Sequence, residues 1–136
     1  MEKTENKRRL FTPDEANKTL PYVNRVIKDI VQTHESISSL YDRWRKLSDK
    51  EVGTADSEEI EGRIRKLLEV REEYVRELEN IGCEFKDYQL GLVDFPALIG
   101  GREVCLCWQM GEPEIQFWHE PEDGFAGRRP IDDHFQ

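Results

Sequence analysis

The chain reads as an α+β domain in which a long antiparallel helical hairpin is followed by a small antiparallel β-sheet and an irregular C-terminal tail. Three observations carry that reading. Apolar residues recur at alternating steps of four and three from Ala16 to Trp44, and a second seam of this kind runs from Ile60 to Ile81. A polar connection, Ser48 to Ala55 with Gly53 inside it, separates the two runs. After Gly82 the helical period stops, and short alternating segments broken by Gly and Pro replace it.

The first helix opens at Thr12-Pro13-Asp14-Glu15, where Thr12 caps, Pro13 suits the first turn and Glu15 completes a capping box. Its seam is Leu20, Val23, Ile27, Ile30, His34, Ile37, Tyr41 and Trp44. Pro21 removes one amide donor and crowds the carbonyl four residues back, which predicts a short opening helix and a kink or break near Leu20. Asp56 or Ser57 is expected to cap the second helix, whose seam is Ile60, Ile64, Leu67, Tyr74, Leu78 and Ile81, with Arg71 at a position that asks for an apolar residue. His34 and Arg71 read as register-setting or snorkelling residues of the two seams. Gly82 is a natural left-handed terminator. The helical hairpin thus covers residues 10–82 and the β-rich segment 83–136, within a single domain spanning 1–136.

In the second part, Gly91 to Pro96 reads as a short strand ended by its proline, and Gly100-Gly101 as a turn. Arg102 to Gln109 is the clearest strand, joined through Met110-Gly111-Glu112-Pro113 to a partner from Glu114 to His119. The tail from Pro121 keeps Phe125, Ile131 and Phe135, which can pin it to the body.

Composition narrows the function classes. The net charge is −9, yet residues 1–50 carry 11 Lys and Arg against 8 Asp and Glu, whereas residues 51–136 carry 9 against 21. Phosphate backbones need a basic face, so nucleic-acid binding is disfavoured. The cluster Lys7, Arg8 and Arg9 reads as a solvated terminus. No apolar run is long enough to span a bilayer and no apolar stretch follows the N-terminal charges, so neither membrane association nor secretion is expected. Cys83, Cys105 and Cys107 lack a disulfide-framework spacing, which agrees with a reducing, cytoplasmic setting.

The run Gly91-Leu92-Val93-Asp94-Phe95-Pro96, then Gly101-Arg102, Val104-Cys105-Leu106-Cys107-Trp108, Gly111-Glu112, Ile115-Gln116-Phe117-Trp118-His119 and Gly124-Phe125-Ala126-Gly127-Arg128-Arg129-Pro130-Ile131 resembles the C-terminal signature of the DUF2203 family. The opening Leu10-Phe11-Thr12-Pro13-Asp14-Glu15-Ala16 with Leu20-Pro21 is similar to that family's start. The resemblance implies a small bacterial or archaeal cytoplasmic protein and carries over no established activity.

Functional side chains crowd this C-terminal part. Asp94, Glu103, Cys105, Cys107, Glu112, His119, Glu120, Arg128 and Arg129 lie close in sequence to Trp108 and Trp118. Cys105, Cys107 and His119 offer ligands for Zn²⁺ or another transition metal, because thiolate and imidazole suit these ions. His119, Arg128, Arg129, Asp94, Glu112, Trp108 and Trp118 are the candidate set for a small anionic ligand, since paired arginines grip carboxylate or phosphate bidentately. No catalytic residue is assigned. A polar cluster of His119 and Arg128 with Asp94, Glu103 or Glu112 is expected, because the chain after Gly124 folds back to bury Phe125 and Ile131.

Strand register decides between these uses. If paired residue numbers of the last hairpin sum to 223, Val104 faces His119, Leu106 faces Phe117 and Trp108 faces Ile115, and both cysteines point away. If they sum to 224, Cys105 faces His119. The first register sorts the apolar residues better and is the one expected. The leading function is a binding or interaction module, self-associating as a homo-oligomer through its helices. The alternative is a small metal- or thiol-dependent enzyme centred on the β hairpin.

Overall fold

A computed structural model describes residues 9–47 and 50–132. Lys7, Arg8 and Phe135 lie outside the described residues. Among the described residues, two long helices, α1 (Pro13–Arg45) and α2 (Ala55–Ile81), pair as a hairpin and are followed by five strands: β1 (Glu84–Asp87), β2 (Leu92–Ile99), β3 (Arg102–Gln109), β4 (Phe117–His119) and β5 (Arg129–Pro130). The strands form one antiparallel meander in chain order. Among the described residues, no helix is long and apolar enough to cross a membrane.

The capping box at Thr12 forms, with Thr12 Oγ1 accepting from the Glu15 amide at 3.1 Å and Glu15 Oε1 from the Thr12 amide at 3.0 Å. The separate opening helix does not form, because α1 continues through Pro21. Pro21 lies on the exposed side, where the freed Asn17 carbonyl can meet water, while Ala16, Leu20, Val23, Ile27 and Ile30 hold the buried side against the sheet on both flanks of the defect. Thr54, and not Asp56 or Ser57, caps α2, its hydroxyl accepting from the Ser57 amide at 3.3 Å. Gly82 ends α2 at φ 115°, as the sequence predicts.

Two apolar clusters result. The larger one seats the first half of α1 and the end of α2 on one face of the sheet, through Val93, Phe95, Val104, Leu106, Trp108 and Trp118. The smaller one, Leu40, Ile60 and Ile64 flanked by Leu47, Leu67 and Leu68, belongs to the helices alone, so the far half of the hairpin is an arm extending past the sheet. Between them the two polar seam residues meet. Arg71 is 3.0 Å from His34 Nδ1, and both contact the Tyr88 ring.

Pro96 does not end β2. In a strand the N–H and C=O of one residue point the same way, and the Pro96 carbonyl accepts from the Phe11 amide at 2.7 Å, away from β3. The missing N–H therefore falls on the side that β1 has already left, since β1 pairs no further than Asp94. The β2–β3 ladder stays complete from Leu92↔Gln109 to Ile99↔Arg102.

The β3–β4 register also differs from expectation. Cys105 faces His119, Leu106 faces Trp118 and Cys107 faces Phe117, and β4 begins at Phe117. The reason lies 98 positions away in sequence: Asn17 Oδ1 accepts from the Ile115 amide at 2.7 Å, which draws Ile115 into the helix-side core as a loop residue. Trp118 then fills the inward position beside Leu106, and His119 turns to the opposite face.

Candidate metal centre

That opposite face gathers the chemistry. β2 and β3 are joined by Gly100 and Gly101, at φ 57° and 79°, a two-residue turn of the kind that needs left-handed φ at both positions. Such a turn sets Asp94 directly against Cys107. His119 sits one strand further on and two residues along, and its ring reaches back across β3 to Asp94. Asp94, Cys107 and His119 offer ligand atoms that all lie within 4.8 Å of one another. The three residues are 4%, 1% and 2% exposed.

Hydrogen placement in this group follows from its partners. His119 Nδ1 is 2.7 Å from the Glu120 carbonyl oxygen, which can only accept, so Nδ1 carries the hydrogen. In a neutral imidazole Nε2 then presents a lone pair, and it faces Asp94 Oδ1 at 3.1 Å. Two acceptors at that distance require a proton or a cation between them. Burial raises the Asp94 pKa against the opposing pull of His119. Burial likewise pushes the Cys107 thiol up to about 12, with the Asp94 charge adding to it.

Arg128 completes the surroundings. The tail returns as expected, with β5 pairing β4 and the Ile131 amide donating to the Gln116 carbonyl at 2.9 Å. Arg128 donates to Glu112 Oε1 at 2.7 Å and to the Cys107 carbonyl at 3.2 Å, and lies over the rings of Phe117 and Phe125. His119 and Arg128 thus flank Cys107, each with its own carboxylate, Asp94 and Glu112. Phe125, expected to be buried, remains exposed beneath the guanidinium.

Other candidates part company from this cluster. Trp108 and Trp118 belong to the helix-side core. Arg129 lies over Trp118 and 4.0 Å from Asp123. Cys105 shares the face of Cys107 but falls outside the closest group, and Glu103 lies two residues further along β3. A groove of about 520 Å³ runs between α1 and the β3–β4 loop, lined by Asn24, Lys28, Trp108 and Glu112 among others, and touches none of the three clustered residues.

Residues 9–131 match the family described as uncharacterized conserved protein (DUF2203). The chain belongs to that family. No curated protein and no solved structure matches it. Within this DUF2203 chain, sequence reasoning placed Cys107 and His119 among the metal ligands but left Asp94 with the anion set. The Gly100-Gly101 turn was the available signal, because a two-residue hairpin loop fixes Asp94 opposite Cys107.

Proposed function

We propose that this DUF2203 protein is a metal-binding module that takes one divalent transition-metal ion, Zn²⁺ in the first instance, at Asp94, Cys107 and His119. The observation behind the reading is the convergence of a carboxylate, a thiol and an imidazole within 4.8 Å in a buried place. Thiolate with imidazole and carboxylate is a zinc-type donor set. The Nδ1 contact to a backbone carbonyl is the outer support that orients a ligating histidine and frees Nε2 for the ion. The ion takes the place of the proton between Nε2 and Oδ1, and binding displaces that proton together with the one on Cys107.

The geometry gives less to thiol catalysis. A nucleophilic cysteine needs a base or cation that lowers its pKa, whereas at Cys107 burial outweighs the opposing pull of Arg128 and both His119 nitrogens are engaged elsewhere. An anion grip is also weakly supported, since Arg128 is paired with Glu112 and its side chain is 14% exposed.

Asp94→Asn separates the metal role from a structural one. The amide donates to Nε2 and so supplies the hydrogen that the metal-free pair requires. A raised folded-state pKa means that Asp94's contribution is present at low pH and lost as pH rises through the folded value. The substitution is therefore expected to keep or raise metal-free stability at neutral pH while weakening Zn²⁺ binding by on the order of 100-fold. Equilibrium dialysis and thermal melts check both halves. Unchanged Zn²⁺ affinity in Asp94→Asn would sink the assignment.

A second observation favours self-association through the helical arm. Its small cluster has no sheet beneath it, and Tyr41 and Trp44 stand exposed beside it. A second copy packed antiparallel makes a four-helix bundle there, with the exposed basic end of α1 (Arg43, Arg45 and Lys46) against the exposed acidic stretch of the other α2 (Glu69, Glu72 and Glu73). Light scattering at tens of micromolar is expected to give twice the chain mass, and a monomer mass would contradict it.

A further inference from the structure

Three ligands leave a four-coordinate ion one short, and the sheet face that supplies them decides what comes fourth. Cys105 lies directly opposite His119 and two residues from Cys107 on β3, so its side chain leaves the sheet on the same side as both. It is 9% exposed. Among the other carboxylates near this group, Glu103 leaves β3 on the same face but two residues beyond Cys105, further from Asp94 and Cys107. Glu84 stands opposite Asp94, but its side chain is 51% exposed and pairs with Lys86 at 3.5 Å. Glu112 already accepts from the Gln109 amide at 2.8 Å and from Arg128. Water has little approach to a group as buried as Asp94, Cys107 and His119.

We infer that Cys105 is the fourth ligand, so that the site closes around Zn²⁺ with two thiolates, one imidazole and one carboxylate drawn from β2, β3 and β4. The inference rests on the metal reading above and deepens it. The Cys105 sulfur stands outside the closest group, so the inference requires it to swing in by a change of its χ1 rotamer as the ion binds. Two sulfur–zinc bonds form as two S–H bonds break, the proton held between Asp94 and His119 leaves as the ion takes both atoms, all three protons pass to solvent, and no group changes oxidation state. A closed four-ligand site holds strands together and leaves no open position for substrate, which makes it structural. Two thiolates also select zinc and its chemical relatives over Mg²⁺ and Ca²⁺.

Titration of the whole chain with Co²⁺ under reducing conditions tests this, because sulfur-to-cobalt charge transfer scales with the number of bound thiolates. Wild type is expected to take up one equivalent and to show strong visible bands of tetrahedral cobalt. Cys105→Ser is expected to bind Co²⁺ more weakly and to lose about half of the near-ultraviolet charge-transfer intensity. Cys83→Ser, altered beside the α2 terminus and away from the site, is expected to match wild type. A Cys105→Ser spectrum identical to wild type overturns the fourth-ligand inference and leaves the metal reading standing. Absence of Co²⁺ uptake by wild type overturns both. Should Cys105→Ser fail to fold, zinc-edge X-ray absorption of wild type decides, with two sulfur neighbours per zinc expected and one overturning the inference.

Discussion

Stripping Zn²⁺ from the loaded protein is expected to lower its melting temperature by on the order of 10 °C. An ion that binds the folded chain at about a thousand times its dissociation constant adds about 4 kcal/mol, and for a domain of this size each kcal/mol shifts melting by roughly 3 °C. The proposed ligands Asp94, Cys107 and His119 lie on three neighbouring strands, so an ion bound there would tie β2 and β3 to the three-residue strand β4. His119→Ala is expected to abolish the zinc-dependent shift. It also leaves Asp94 buried without its partner, so the metal-free melt should fall as well. Thermal melts of both proteins with and without chelator check this, and an equal melting temperature for loaded and stripped wild type would contradict it.

Trp108→Ala is expected to cost about 3–5 kcal/mol of folding stability. Trp108 is among the largest fully buried side chains, and its Nε1 donates to the Glu112 carbonyl at 3.0 Å. The same Glu112 caps the Gln109 amide and holds Arg128 over Phe117. Truncation thus opens a cavity in the helix-side core and loosens the loop that positions β4 on the other side. Trp108→Phe keeps most of the apolar contact and is expected to lose about 1 kcal/mol for the missing hydrogen bond. Urea unfolding of both variants measures the difference, and a Trp108→Ala loss below about 1 kcal/mol would show that this residue does not join the two faces as described.

The helical hairpin was legible in the chain because its signals are local. The capping box at Thr12, the four-three seams and the terminator Gly82 each need only a few neighbouring residues. The failures share one cause, a tertiary contact that overrides a local preference. Pro21 is tolerated because it faces solvent on a helix held down on its other side. Pro96 is tolerated because its missing donor points where no strand pairs and where Phe11 arrives from the chain's start. The register of the last hairpin is set by Asn17 reaching Ile115, a contact that no pattern within residues 102–119 contains. That one-residue difference is what carries His119 from the core face to the side of Cys105, Cys107 and Asp94. His34 and Arg71 were visible separately as polar residues in apolar seams, while their hydrogen bond depends on how the two helices register.

Native mass spectrometry of untagged protein titrated with Zn²⁺ tests the central claim most directly. One zinc ion per chain is expected in wild type, retained while other adducts are lost on mild activation, and absent from His119→Ala. A wild-type chain that carries no specifically retained zinc, or a His119→Ala chain that retains it equally well, would contradict the metal centre at Asp94, Cys107 and His119.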